Sequence, residues 1–161
     1  MCLTLPQNPA TKAPEKPIKV LKAYKYNITA DTLTLHAIFC GKSFNPNNAL
    51  TIVSNRTGGR YLTPEEIRSG DIHQGLHGFT TRKNLHEFLA ETASLTGLGA
   101  VIVEFIGQPE EFIARGNKGD VAFHKLKFNK IVSYKSPYTS DFIPAGIYFD
   151  KYLNGGYEVA V

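Results

Sequence analysis

The chain is short of cysteine and of long hydrophobic runs, and both shortages narrow what it can be. Its two cysteines, Cys2 and Cys40, are too few for a disulfide scaffold. The opening stretch MCLTLPQNPATKAPEKP lacks the apolar core of a secretory leader. The longest apolar runs, near Ala37–Cys40 and Ala100–Phe105, are far short of a membrane span. The expected setting is the cytoplasm, with reduced thiols and no membrane contact. No run of five Lys or Arg occurs, and tryptophan is absent. Also missing are GxSxG, the P-loop, HExxH, GxGxxG and CxxC. The reading therefore leans away from an enzyme. No catalytic residue is assigned, and neither cofactor nor metal is expected.

What is present describes an ordinary globular chain. Its 161 residues suit one domain, with 42% hydrophobic and 20% charged residues. The net charge of +4 favours anionic partners: nucleic acid, nucleotides or an acidic protein surface. Lys19, Lys22 and Lys25 form one basic set, and Lys125, Lys127 and Lys130 another. Their spacing reads as the solvent face of two strands.

Prolines at 6, 9, 14 and 17 make residues 1–17 an extended arm before a single domain over 18–161. Alternation predicts a strand from Ile18 to Tyr26, with Val20, Tyr24 and Tyr26 on one face. A second runs from Thr32 to Cys40, and the two make a hairpin around Asn27–Asp31. A short strand is expected at Leu50–Val53. Thr63-Pro64-Glu65-Glu66 starts a short helix that Gly70 closes. Ile72–Phe79 reads as extended. Thr80 or Thr81 then caps the main helix, about Arg82–Leu95, whose stripe is Leu85, Phe88, Leu89 and Thr92. Ala100–Ile106 reads as a central strand. Val121–Tyr134 reads as one long strand, with Val121, Phe123, Lys125 and Lys127 on one side. Asn154-Gly155 predicts a last hairpin between Ile147–Tyr152 and Tyr157–Val161. The fold expected is α+β: a curved, mainly antiparallel sheet, one main amphipathic helix on one face and a short second helix.

Two stretches stand out as candidate sites. In Gly75-Leu76-His77-Gly78-Phe79-Thr80, glycines bracket His77 and Phe79, which alternation puts on one face. That suits a cleft floor, with His77 as hydrogen-bond donor or general base and Phe79 as a stacking surface. The plainer reading is a core histidine and a bend before the helix. The second stretch, with Arg56, Gly58, Gly59 and Arg60, precedes a helix start and suits an anion. Its plainer reading is a solvated loop. His73 and His77 stand four apart, but the nearby glycines argue against a helix that would turn them into a metal pair. Cys2 would lead the chain if Met1 were removed; a Cys2 that pins the arm is preferred to a nucleophile. The eight Tyr and ten Phe read as an aromatic core rather than a base-stacking sheet.

Met1-Cys2-Leu3, Lys19-Val20-Leu21-Lys22-Ala23-Tyr24-Lys25 and Gly75-Leu76-His77-Gly78-Phe79 together resemble a group of small uncharacterised phage and bacterial proteins. Those begin Met-Cys-Leu and carry Gly-x-His-x-Phe before a helix. The resemblance spans residues 18–134 and carries over no catalytic role. It implies a phage accessory factor that binds and inhibits a host protein, such as a defence protein, or its nucleotide signal. One alternative is a nucleotide-acting enzyme or sensor with an ADP-ribosyltransferase-like cleft built from His77, Phe79, Arg56, Arg60 and Glu104. Another is a nucleic-acid-binding domain working through the basic strands. The oligomeric state is left open.

Overall fold

The computed structural model describes residues 3–4, 13–38, 43–46, 51–53, 64–69, 71–72, 75–92, 95 and 97–153. The chain opens with β1 (Leu3–Thr4), β2 (Ile18–Thr29), β3 (Thr32–Ala37) and β4 (Thr51–Val53). Helix α1 (Pro64–Ser69), β5 (Asp71–Ile72), β6 (Leu76–Phe79) and helix α2 (Arg82–Thr92) follow. The second half holds β7 (Ala100–Gly107), β8 (Phe112–Arg115), β9 (Asp120–Phe123), β10 (Lys125–Lys135), β11 (Ile143–Pro144) and the short α3 (Asp150–Leu153). Every described pairing is antiparallel. This is an α+β chain built on a mostly antiparallel sheet. In the arm, Leu3–Thr4 pairs with Asp71–Ile72. Cys2 and Cys40 lie outside the described residues.

The first hairpin is tighter than its sequence suggests. Thr29 pairs with Thr32, so only Ala30 and Asp31 turn the chain. Both have positive φ, 51° and 62°. That is the mirror-image turn whose twist matches the flanking strands. Asp tolerates this region, but an alanine Cβ is crowded there. Ala30→Gly is expected to stabilise the fold by roughly 0.5–1 kcal/mol. A rise in the urea midpoint at unchanged slope would register it.

β7 is the sheet's central strand, with β2 on one side and β10 on the other. Its residues are almost all buried, as its continuous apolar run demands. The far edge of β2 is shared. Leu21 pairs with Phe79 of β6, and residues 24–29 pair with β3. β6 pairs in turn with β9, and β9 runs into β10 through the single residue His124. Four pairings and the chain step from β9 to β10 together close a circuit of strands: β2, β7, β10, β9, β6 and back to β2.

That circuit needs a bend, and His124 supplies it. Val121 and Phe123 join Leu126 and Phe128 in the same cluster, while Lys125 and Lys127 are exposed. The expected grouping of Val121 and Phe123 with the two lysines is thus corrected. The inward set steps from odd to even numbers at the bend. The His124 amide donates to the Glu111 carbonyl at 2.8 Å, off the regular ladder.

The larger cluster fills the inside with Val20, Tyr24, Leu33, Leu35, Val103 and Phe105 among others. Tyr24, Phe105 and Phe128 meet there at offset and edge-on angles. On the opposite face, Leu85 and Leu89 of α2 join Leu21, Phe79 and Ile102. The helix starts at Thr81, whose Oγ1 accepts from the Asn84 amide at 3.2 Å.

The C-terminal hairpin is the other correction. Residues 147–152 are not a strand. They form a turn and α3, with Tyr148 and Asp150 donating to the carbonyls of Ala145 and Ile147. Ala145, Phe149 and Tyr152 are the buried positions, a helical spacing that alternation conceals. Residues 154–161 lie outside the described residues.

Candidate functional site

Strand β6 holds the described part of the first predicted site. Gly75 precedes it at φ 87°, and a Cβ there would sit 2.5 Å from Ile113 Cδ1. His77 is buried and pairs with Ala122. Phe79 is only 3% exposed. Its ring lies 5.2 Å from that of Phe88, beneath α2. A ring so covered serves the core. Arg56, Gly58, Gly59, Arg60 and His73 lie outside the described residues. Glu104 is separated from Phe79 by Leu21 in a row across the strands. Its carboxylate accepts from Asn129 Nδ2 at 2.6 Å and stands 3.9 Å from the exposed Lys19 ammonium.

Lys22 departs from its expected place on the solvent face. By alternation it shares a face with Val20 and Tyr24, and the structure keeps it there. Its ammonium donates to the His77 carbonyl at 2.7 Å and lies 5.9 Å from the centre of the Tyr24 ring. This bond spans the point where β2 leaves β6 and takes up β3. Burial pulls the Lys22 amine down to about 8.

A concavity among the described residues lies elsewhere. A cleft of about 450 Å³ runs between α2 and residues 135–142. That volume falls within the range of small-molecule sites. Leu89, Ala90 and Leu95 form one wall; Pro137, Tyr138, Thr139, Ser140 and Phe142 form the other. The architecture is local. Pro137 ends β10, since it has no N–H to extend the ladder. The Thr139 amide then donates to Ser136 O at 3.3 Å, closing a turn. Exposed His86 lies on the helix rim, its ring edge-on to Phe142 at 5.6 Å.

Lys135 sits at this cleft and is 2% exposed. Its ammonium donates to Leu98 O at 2.5 Å, Thr139 O at 3.2 Å and Ser136 O at 3.4 Å. It thereby ties the turn after α2 to the turn after β10. Burial lowers its pKa. Sequence reasoning passed over this cleft. The available signals were the Ser136-Pro137 break and the pair His86 and Ala90, one helical turn apart.

Around the same end of the sheet, large apolar side chains reach solvent. Tyr138 is 95% exposed and Ile147 82%, with Ile143 and Tyr148 each about half exposed. Tyr148 stacks on Tyr134 at 4.6 Å. Among the described residues, no group of three or more His, Cys, Asp or Glu is placed to hold a metal, and no helix is long and apolar enough to cross a membrane. Comparison with protein-family models, curated proteins and solved structures finds no match for the chain.

Proposed function

We propose that this chain is a small binding protein whose partner is a macromolecule. By the resemblance of its Met-Cys-Leu and Gly-x-His-x-Phe segments, that partner is a host protein which it inhibits. The observation that carries the reading is the crowding of exposed apolar side chains at one end. Four of the six large hydrophobic residues that reach solvent among the described residues fall within 138–148. Exposed apolar side chains gathered in one segment suit an interaction site, and tyrosine is enriched where binding energy concentrates. In this reading the curved sheet, with α2 packed on one face, is a rigid platform for that surface. The alternative enzyme built on His77 and Phe79 draws no support from a ring covered by α2.

The test places a photo-reactive residue at Ile147 and, separately, at exposed Lys125. Capture of one defined bacterial protein from Ile147 alone is the expected result. With that protein purified, Ile147→Ser should weaken binding by about tenfold. Equal capture from both positions would sink the reading. So would recovery of nucleic acid with salt-dependent affinity, which would favour the exposed Lys125, Lys127 and Lys130.

A further inference from the structure

We propose that the cleft between α2 and residues 135–142 binds a small organic anion with a flat aromatic body. The argument begins with Lys135. It is a buried cation whose acceptors are all main-chain carbonyls, with no carboxylate beside it among the described residues. A buried charge without a counter-ion is costly, and an anion supplied by a ligand offsets that cost. The contacts to Thr139 O and Ser136 O, at 3.2 and 3.4 Å, are long for a charge-assisted bond. They are the ones an incoming oxyanion would replace, leaving the short bond to Leu98 O in place.

The remaining lining agrees with this choice. Among the described residues that line the cleft, the charged or chargeable nitrogen bases are Lys135 and His86, and none is acidic. Thr139 and Ser140 bring hydroxyls that can donate to anionic oxygens. Leu89, Leu95 and Phe142 form an apolar wall, and Tyr138 offers a ring with little of its surface covered. A flat aromatic group therefore has a place to lie, with its anionic end toward Lys135. A nucleoside monophosphate and an aromatic carboxylate share this chemistry.

The test is a titration of the full chain followed through its backbone amide resonances. The probes are 5′-AMP, indole-3-carboxylate, adenosine and inorganic phosphate. At least one of the two aromatic anions should give saturable shifts at residues 86, 90, 97 and 138–142. Adenosine and phosphate alone should bind at least about tenfold more weakly. Lys135→Met should remove binding. That variant also strips the donor from three carbonyls; if it fails to fold, His86→Gln, at an exposed position, carries the test and should weaken binding by about fivefold. The proposal is overturned if neither aromatic anion shifts these resonances at millimolar concentration. It is also overturned if adenosine binds as well as AMP, or if folded Lys135→Met or His86→Gln binds like the parent. Ile147→Ser should leave this titration unchanged, which keeps its outcome separate from the search for a macromolecular partner.

Discussion

Lys22→Met is expected to stabilise the fold by roughly 1–2 kcal/mol at pH 7. The fold holds the Lys22 amine at about 8, against an ordinary value of 10.5. Burial therefore opposes the charged form. Each pKa unit corresponds to about 1.4 kcal/mol, discounted here because the residue is only partly enclosed and because Met forfeits the bond to the His77 carbonyl. Methionine keeps the length of the side chain and removes the charge. The pH dependence follows from the direction of the shift. Between about 8 and 10.5 the unfolded chain holds a proton at this amine that the folded chain has released. Stability contributed by this group thus rises with pH through that window. Its cost is fully present below about 8. Tyr24 acts the other way at the upper end. Burial keeps its phenol protonated in the fold while the unfolded chain ionises above about 10. The difference between parent and variant isolates Lys22. Urea unfolding of both at pH 7 and pH 10 should show the gain shrinking with pH. A variant less stable than the parent at pH 7 would mean that the bond to β6 outweighs the burial.

Gly78→Ala should act in the opposite direction, costing roughly 2–3 kcal/mol. A Cβ at Gly78 would stand 2.4 Å from Val20 Cγ1 and 2.9 Å from the Leu21 carbonyl oxygen. Val20 is fully buried, and the carbonyl belongs to the main chain of β2, so neither gives way cheaply. The strain falls where β2 and β6 meet through the single pair Leu21 and Phe79. Melting should drop by about 5–10 °C for a chain of this size. Gly97→Ala is the useful contrast. Gly97 has φ 77° and nothing within 4 Å of the added carbon. Its penalty comes from the dihedral alone and should be about 1 kcal/mol. Equal losses at the two sites would remove crowding as the cause at Gly78.

Local rules carried far along this sequence. Thr81 as a cap, the stripe through Leu85 and Leu89, and the buried run of β7 were all legible because each depends on a few neighbouring residues. Lys22 was misplaced on the solvent face, although its parity with Val20 and Tyr24 pointed inward. The general preference of lysine for solvent hid it. Residues 147–152 were misread because Asn154-Gly155 carries a strong hairpin signal, while the helical spacing of Ala145, Phe149 and Tyr152 is sparse. The cleft was not legible. It joins residues 86–97 to residues 135–142, and no local pattern reports that two turns share one buried ammonium.

His124 has a consequence for how this sequence can change. Without it, Phe123, Lys125 and Leu126 would alternate in, out and in without interruption. A deletion at 124 would thus leave a strand that looks better by every local rule. It would also straighten the bend between β9 and β10, and β6 and β7 would no longer be served by the same stretch of chain. The position itself must be counted: the irregularity is a unit of length, and an improved pattern there would be a lost fold.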